Sequence, residues 1–222
     1  SEATGITGEQ DAFVVTSAEG QSHRGRRVLF ATGVTDQLPN ITGLAERWGQ
    51  SVFHCPYCHG YELDQGRIGV IATGPMSVHQ AELLAEWGKA TLLTNGALML
   101  EPEGRDGLER KGITVEGTSI HAIAGDADVQ LTDGRVLSFA GLFVATTITP
   151  SSSLPSDLGC EIIENPMGRI ITVDASKQTT VPGVFACGDV AVVPGAVSFA
   201  VSDGALAGMQ LHRSLVWPET MS

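Results

Sequence analysis

Residues 68–94 read IGVIATGPMSVHQAELLAEWGKATLLT and have the pattern of a strand, a helix and a second strand. Residues 68–72 are apolar enough for a buried strand, residues 76–88 carry apolar side chains mostly at helical spacing, and residues 90–94 form a second apolar run. Two strands joined by such a helix lie parallel in one sheet. The stretch therefore predicts an α/β fold built on a parallel sheet.

The flanking sequence contains further short elements. Strands are predicted at residues 12–16, 27–31, 142–145, 170–172 and 184–186, with a short helix near 44–48 and a long helix at 195–215. Four short segments split by turns predict an antiparallel β-meander, at residues 113–116, 119–124, 128–132 and 135–138. The Thr-Pro-Ser-Ser-Ser run at 149–153 is typical of a connection between domains.

The composition is that of a folded protein of one or two domains. The chain has 222 residues, of which 42% are hydrophobic and 17% charged, and this is enough apolar material for a packed core. The formal net charge of −12 disfavours nucleic acid and anionic membranes as partners. The sequence has no run of about 18 apolar residues, and its first residues, Ser-Glu-Ala-Thr-Gly, lack the features of a signal peptide. We therefore expect a cytoplasmic protein without a membrane span.

The Cys-Pro-Tyr-Cys motif at residues 55–58 is the strongest chemical signal in the sequence. Its spacing lets two sulfurs close a small disulfide ring, and neighbouring groups in such a motif stabilise a reactive thiolate. His54 and His59 flank the pair, and an imidazole can take up a thiol proton and return it. We therefore predict redox chemistry at Cys55 and Cys58, with the two histidines as acid/base partners.

Three other interpretations compete for this motif. A structural zinc site needs a second pair of ligands, and Cys160 and Cys187 are far apart and each alone, so we predict no metal site. Two buried cysteines without chemistry are disfavoured by the paired spacing and by the flanking histidines. A thioredoxin-like fold also uses a CxxC motif, but the sequence around this one argues for another family.

Three segments together resemble the low-molecular-weight thioredoxin reductases. Residues 55–62, Cys-Pro-Tyr-Cys-His-Gly-Tyr-Glu, resemble the redox motif that these enzymes carry inside their nucleotide domain. Ala-Thr-Gly at 31–33 resembles the motif that ends the first part of their flavin domain. Gly-Val-Phe-Ala-Cys-Gly-Asp at 183–189 resembles their second flavin motif. The three motifs stand in the family's order and span nearly the whole chain.

The resemblance implies an arrangement of domains. It implies two Rossmann-like three-layer domains, namely a discontinuous FAD-binding domain at residues 1–36 and 149–222, and an inserted NAD(P)-binding-like domain at 37–148 that carries the dithiol. Family members are usually homodimers, so the resemblance also implies a homodimer.

The resemblance also implies roles for individual residues. Cys58 would lie against the flavin, and Cys55 would be the outer sulfur that meets the substrate. The residues implied to bind FAD are Thr32, Gly33, Gly188 and Asp189. Asp189 would hydrogen-bond the ribityl or pyrophosphate region, and Gly188 would admit the cofactor without a Cβ clash.

The chain departs from the family at the start of the flavin site. Family members open with a strand, a G-x-G-x-x-G turn and a helix that hold the flavin pyrophosphate, and no such sequence precedes Ala31. Placing the dithiol by analogy, roughly 80 residues are absent on the N-terminal side. We therefore expect a truncated chain whose FAD site is incomplete.

A second departure lies in the nucleotide loop. Where a pyridine-nucleotide enzyme has G-x-G-x-x-G/A, residues 72–77 read Ala-Thr-Gly-Pro-Met-Ser, and only the middle glycine is kept. Pro75 removes a backbone N–H that could face phosphate. Thr-Asn-Gly at 94–96 replaces the His-Arg-Arg cluster with which NADPH users of the family bind the 2′-phosphate. These losses make NADPH binding doubtful, and a divergent loop that still binds is the alternative.

The residue after the second cysteine separates two functions. His59 stands where family reductases commonly have Asp, and the CxxCHGYE form resembles the branch of gliotoxin-type dithiol oxidases. A histidine base suits an enzyme that deprotonates an incoming dithiol. We therefore predict electron flow from a small-molecule dithiol or a thioredoxin-like protein to the Cys55–Cys58 disulfide, to FAD and to O₂. The alternatives are an NADPH-dependent thioredoxin-type reductase and an inactive fragment or partner-binding subunit.

Overall fold

The computed structural model of the chain describes residues 1–218 and divides into two compact units. Unit 1 contains Ser1–Gln37 and the residues from Thr147 onward, and unit 2 contains Leu38–Thr146. The last four residues of the segment 149–222, assigned to the flavin domain from the sequence, lie outside the described residues. That unit 1 binds flavin and that unit 2 is related to nucleotide-binding domains stays a prediction.

Most elements of the chain are short strands. Within the described residues the strands are β1 (Ala3–Thr7), β2 (Phe13–Ser17), β3 (Ser22–Gly25), β4 (Val28–Phe30), β5 (Val34–Gln37), β6 (Val52–Phe53), β7 (Arg67–Ile71), β8 (Lys89–Leu93), β9 (Thr114–Glu116), β10 (Ile120–Ala124), β11 (Asp128–Leu131), β12 (Val136–Ser138), β13 (Gly141–Val144), β14 (Thr147–Pro150), β15 (Ile162–Asn165), β16 (Gly168–Ile171) and β17 (Val184–Ala186). The α-helices are α1 (Pro56–His59), α2 (Met76–Leu84), α3 (Pro102–Arg110), α4 (Leu154–Asp157) and α5 (Val197–Val216). Short 3-10 turns lie at Ala45–Arg47, Tyr61–Leu63 and Gly188–Val190.

Unit 2 is a three-layer α/β structure around a parallel sheet. The strand order is β6-β13-β7-β8-β9, and every neighbouring pair is parallel. Alternate side chains enter two cores: Ile68, Val70 and Phe143 pack with α2 and α3, whereas Ile71 and Val144 pack with the antiparallel meander β10-β11-β12. Both faces of the central strands are buried, which explains their almost wholly apolar sequences. The predicted α/β fold class is confirmed.

Unit 1 combines one parallel strand pair with two further sheets. β4 and β17 run parallel, β1-β2-β3 form an antiparallel sheet, and β15-β16-β14-β5 form a mixed sheet. Phe13, Phe30 and Val184 belong to the common core of this unit. The 20-residue helix α5 contacts β17 and the turn that follows it. No helix within residues 1–218 is both long and apolar enough to cross a membrane.

Three local features differ from the sequence-based predictions. The segment 113–116, predicted as part of the meander, is instead β9, the parallel edge strand of unit 2, because a three-residue strand carries no signal for its partner. The run 149–153, predicted as a connection, begins inside β14, which pairs with β5. The sequence did not predict α3, because its residues are mostly polar and include two glycines, which disfavour a helix.

Candidate functional site

The dithiol lies at the carboxyl edge of the parallel sheet of unit 2. Strand β6 ends at Phe53 and α1 begins at Pro56, so Cys55 occupies the position before the first helical residue. Proline suits the first helical position because the N–H that it lacks has no partner there. The single turn of α1 brings the Sγ atoms of Cys55 and Cys58 to 2.7 Å, with both cysteines as free thiols. A two-electron oxidation therefore needs only a small side-chain shift to close the pair into a disulfide.

Cys58 holds its proton more tightly than an ordinary thiol. Its pKa is raised to about 11 by the hydrogen bond that it donates to Cys55, by partial burial and by the negative charge of the Cys55 thiolate. Cys58 is exposed, whereas Cys55 is half-buried. In the reduced pair at neutral pH, the proton therefore stays on Cys58 and the Cys55 sulfur accepts the hydrogen bond.

His59 is held by an aromatic ring and a carboxylate. Its ring stacks on Phe53, with centroids 4.2 Å apart and planes inclined by 17°. Its Nδ1 lies 3.3 Å from Oε2 of Glu62, one turn along the chain. When Nδ1 donates its proton to this carboxylate, Nε2 is the basic nitrogen of the ring. Glu62 therefore sets which ring nitrogen of His59 carries the proton. The place of Glu62 in the redox motif did not predict this role.

His54 is anchored to two neighbouring elements. Its Nδ1 lies 3.1 Å from Oγ1 of Thr146, which follows β13, and its carbonyl accepts from Nε2 of Gln80 on α2 at 2.8 Å. The parallel pairing of β6 and β13 brings His54 and Thr146 to the same edge of the sheet. Gln80 is 7% exposed, and its Oε1 has no hydrogen-bond partner within residues 1–218. The sequence gives no signal for these partners, since Thr146 is 92 residues from His54 and Gln80 is 26 residues away.

The dithiol turn packs on Trp87, in the turn that follows α2, through aromatic contacts. The ring of Tyr57 meets Trp87 edge to face at 5.5 Å, and 76% of Tyr57 is exposed. A Cβ at Gly60 would lie 2.9 Å from Cε3 of Trp87 and 2.7 Å from the carbonyl oxygen of Pro56. A glycine is therefore required at residue 60, because any side chain there would push the turn away from the indole.

The loop that follows β7 is tied down by its own side chains. The backbone N–H of Thr73 donates to Oγ of the fully buried Ser77 at 3.0 Å, and the Thr73 hydroxyl donates to the carbonyl of Ala145 at 2.6 Å. At the end of the next strand, Oδ1 of Asn95 accepts the N–H of Ile120 at 2.7 Å. An N–H that a dinucleotide-binding loop would offer to phosphate is therefore already used within the protein.

The two flavin motifs lie side by side in unit 1. Thr32 and Gly33 follow β4, Gly188 and Asp189 follow β17, and the parallel pairing of these strands brings both segments to one edge. The N–H of Cys187 donates to the carbonyl of Phe30 and ties the two segments together. Ligands of α/β proteins bind at the carboxyl ends of parallel strands. The sequence-predicted cofactor residues therefore occupy a position where a ligand can be held.

The geometry at this edge fits an elongated, hydroxyl-bearing cofactor. Gly33 and Gly188 have φ of +68° and +71°, a conformation that side chains rarely adopt, and a Cβ at Gly33 would enter open space. Within residues 1–218 the half-buried Asp189 carboxylate forms no hydrogen bond or ion pair, so it can accept from a ligand hydroxyl. A Cβ at Gly195 would stand 3.0 Å from Oδ1 of Asp189, so this glycine leaves room for the carboxylate. These residues fit FAD.

The remaining two cysteines are buried in unit 1. Burial raises the pKa of both Cys160 and Cys187, and Cys160 contacts the hydroxyl of Thr179 at 3.5 Å. Such thiols are poorly reactive. In the part of the chain that the structure describes, no group of three His, Cys, Asp or Glu side chains is arranged to hold a metal ion.

Nearly the whole chain is similar to known disulfide oxidoreductases. Residues 1–204 match the family described as pyridine nucleotide-disulphide oxidoreductase. The chain is 31% identical over 220 residues to the thioredoxin reductase aclD of Aspergillus oryzae, which covers 93% of this chain and 69% of that protein. It is 32% identical over 219 residues to the thioredoxin reductase sirT of Leptosphaeria maculans, with coverages of 90% and 66%. The chain thus spans about two thirds of the length of these relatives.

A solved structure agrees with the sequence matches. An oxidoreductase from Agrobacterium tumefaciens superposes with a TM-score of 0.93 and 49% identity, over 98% of this chain and 74% of that one. The resemblance inferred from the three motifs is therefore confirmed. The chain belongs to the pyridine nucleotide-disulphide oxidoreductase family, in its thioredoxin-reductase-like branch of flavoenzymes.

Proposed function

We propose that the protein is a flavin-dependent thiol/disulfide oxidoreductase that oxidises a dithiol substrate at the Cys55–Cys58 pair. The observation that supports this most is the 2.7 Å approach of the two sulfurs between His54 and His59, each of which is anchored by a polar partner. The proposed electron acceptor is FAD, and O₂ is the final one.

The proposed exchange conserves atoms and electrons. A substrate thiolate attacks the Cys55 sulfur of the oxidised pair, the S–S bond breaks, and its electron pair leaves on Cys58, which takes up a proton. The second substrate thiol then loses its proton to a base and attacks the substrate sulfur of the mixed disulfide, the S–S bond to Cys55 breaks with its electron pair leaving on Cys55, and the substrate is released as a disulfide. Both protein cysteines end reduced, having received two electrons from the substrate.

The departure of Cys58 as the S–S bond breaks gives a neighbouring histidine a task in this exchange. The pKa of about 11 belongs to the reduced pair, where Cys55 raises it, but even without that neighbour the Cys58 sulfur leaves less readily as a bare thiolate than as a thiol. Proton transfer to Cys58 as the S–S bond breaks removes this disadvantage. His59, which follows Cys58 and is oriented by Glu62, is the proposed donor.

FAD, when bound, would take two electrons from the reduced pair and deliver them to O₂. The residues proposed to hold it are Thr32, Gly33, Gly188 and Asp189, with the Asp189 carboxylate accepting from a hydroxyl of the ligand. The expectation that residues 1–222 contain only part of the flavin site stays a prediction.

The nucleotide loop supports oxidation rather than NADPH-dependent reduction. The Thr73 N–H is already donated to Ser77, and the Asn95 amide oxygen is already bonded to Ile120. The guanidinium of Arg135 is not free for a phosphate either, because it pairs with Glu116, the last residue of β9, and with Asp133, at 2.7 Å each. Because these groups already have partners within the protein, they support the proposal that the electrons come from a dithiol and not from NADPH.

Reduction of the bound flavin without oxygen separates the two directions. We predict that a dithiol such as dithiothreitol bleaches the visible flavin band of the flavin-loaded protein within one turnover, whereas an equimolar amount of NADPH does not. Rapid stoichiometric bleaching by NADPH would instead establish the alternative, a thioredoxin-type reductase with a divergent loop. Bleaching by neither reagent would favour the second alternative, an inactive chain or partner-binding subunit.

The proposed partners follow from the same site. The substrate is a small-molecule dithiol or a thioredoxin-like protein, and a homodimer in the cytoplasm is the proposed state of the protein. The net charge of −12 continues to disfavour nucleic acid and anionic membranes as partners.

A further inference from the structure

We propose that Asp203, together with Lys177, is a positioning residue for the flavin: it holds the turn that carries Gly188 and Asp189 in its binding conformation. Oδ2 of Asp203, on α5, accepts the backbone N–H of Gly188 at 2.9 Å. Oδ1 of the same carboxylate pairs with the ammonium of Lys177. One side chain thus links the flavin turn to two other segments of unit 1. This inference rests on the proposed flavin site.

Lys177 is itself placed by a tight loop before β17. The carboxylate of Asp174 accepts the N–H groups of Ser176 and Gln178, at 2.8 and 3.0 Å, and closes this loop. Lys177 has φ of +66°, and its carbonyl accepts the N–H of Ala186 at 3.0 Å. A non-glycine residue keeps such a backbone conformation only when its surroundings hold it there. The ammonium of Lys177 is therefore directed toward Asp203 by the fold of the loop.

The ion pair is shielded from water. The side chains of Lys177 and Asp203 are 15% and 11% exposed, which makes this the most buried ion pair among the salt bridges within residues 1–218. Buried charges of this kind need both a partner and hydrogen bonds, and the Gly188 N–H supplies one of these bonds. Cys187 lies between β17 and this turn. Burial raises the pKa of its thiol, the charge of Asp203 raises it further, and the charge of Lys177 lowers it.

This arrangement fixes the turn before a ligand arrives. Gly188 adopts φ of +71°, which glycine reaches but does not prefer over its other conformations, so its amide needs an acceptor to hold it. The Asp203 carboxylate is that acceptor, and the adjacent Asp189 carboxylate stays free for the ligand. Preorganisation of this kind strengthens binding because the turn loses less freedom when the ligand binds.

The test uses the chain of residues 1–222 and three variants of the network. Asp203→Ala removes the acceptor and the charge, Asp203→Asn keeps an acceptor oxygen without the charge, and Lys177→Met removes the partner. Asp11→Ala is the matched control, because Asp11 forms ion pairs with Arg26 and Arg27 of the same unit. The readouts are the dissociation constant for FAD from flavin fluorescence, hydrogen exchange at the Gly188 amide, and the melting temperature.

We expect Asp203→Ala to raise the FAD dissociation constant at least tenfold and to speed Gly188 exchange at least tenfold, with Asp203→Asn in between and Asp11→Ala unchanged in both. Equal FAD affinity and equal Gly188 exchange in Asp203→Ala and Asp11→Ala would overturn the inference, whatever their melting temperatures. A wild-type chain that binds no FAD would refute the proposed function of residues 1–222. In that case Gly188 exchange alone decides the positioning role: acceleration in Asp203→Ala supports it, and no acceleration overturns it.

Discussion

The two thiols of the dithiol, three residues apart, are not equivalent in the reduced protein. Cys58 is the donor of the sulfur–sulfur hydrogen bond, and its pKa of about 11 lies above the ordinary 9.0 mainly because of Cys55. The asymmetry is useful in exchange chemistry, because one sulfur is available to attack or be attacked while its neighbour holds the proton.

Removal of Cys55 should make Cys58 more acidic. In Cys55→Ala the hydrogen bond and the thiolate charge that raise the pKa of Cys58 are both absent, so its pKa falls toward 9.0 and only the burial contribution remains. At a pH below the pKa of Cys58 in both proteins, each unit by which this pKa falls gives about tenfold more thiolate. The gain in rate is smaller, because a less basic thiolate is a weaker nucleophile. We predict that, at pH 8, iodoacetamide alkylates Cys58 of Cys55→Ala about tenfold faster than Cys58 of the reduced wild type.

Two comparisons make this alkylation result specific. Cys55→Ser keeps a hydroxyl acceptor beside Cys58 and should show a smaller acceleration. A Cys55→Ala/Cys58→Ala chain measures the background from the buried Cys160 and Cys187. A pH profile for Cys58 in Cys55→Ala that still has its midpoint near 11 would show that Cys55 does not control this thiol.

At the same scale, contiguous motifs could be predicted and distant contacts could not. The Cys-x-x-Cys spacing and its flanking histidines are read directly from residues 54–59, because the chemistry needs neighbours in sequence. The partners of those histidines include Thr146, and the acceptor of the Gly188 amide is Asp203 on α5. Such contacts depend on which strands and helices become neighbours, and residue spacing carries no information about that.

Among the elements, the single helical turn α1 of the dithiol depends on its contact with Trp87, in the turn that follows α2. Gly60 lies against both the Pro56 carbonyl and the Trp87 indole, and a methyl group on residue 60 would come too close to each of them. Tyr57 meets the same indole from the dithiol turn. The position of the two sulfurs is therefore tied by close packing to Trp87 in the turn after α2.

A methyl group at residue 60 should loosen this packing. The backbone of Gly60 is helical, so Gly60→Ala strains contacts and not φ, and overpacking of this kind costs about 1–3 kcal/mol. We predict a lower free energy of unfolding in chemical denaturation, together with a changed rate of dithiol alkylation. The matched control is Gly104→Ala on α3, where a Cβ meets nothing within 4 Å and stability should rise by up to about 1 kcal/mol. A Gly60→Ala chain with wild-type stability and reactivity would contradict the packing role.

Elements with a strong apolar period could be predicted, and those without one could not. The β7-α2-β8 unit follows from two buried apolar runs on either side of a helix that is apolar on average. Helix α3 buries only Leu108, is polar overall and carries two glycines, so its sequence resembles that of a surface loop. Strand β9 is short and half exposed, and only its pairing with β8 shows that it belongs to the parallel sheet.

On the scale of the whole molecule, the order of the motifs identified the family. The flavin motifs lie in unit 1, and the dithiol and the altered nucleotide loop lie in unit 2. The family followed from this order, because the order of motifs along a chain survives changes in individual residues, whereas the fold class followed from the apolar pattern of residues 68–94. The direction of electron flow did not follow from it, since oxidases and reductases can share the same order of motifs.

The central claim is that the Cys55–Cys58 pair passes electrons from a dithiol to a flavin. The most direct test is the visible absorption spectrum of the purified protein, recorded before and after dithiothreitol is added without oxygen, for the wild type, Cys58→Ser and the buried-thiol control Cys160→Ser. We predict flavin bands in all three proteins, with bleaching and recovery on admission of air in the wild type and Cys160→Ser, and no bleaching in Cys58→Ser. A wild-type protein without flavin bands, or a Cys58→Ser protein that bleaches as fast as the wild type, would contradict the claim.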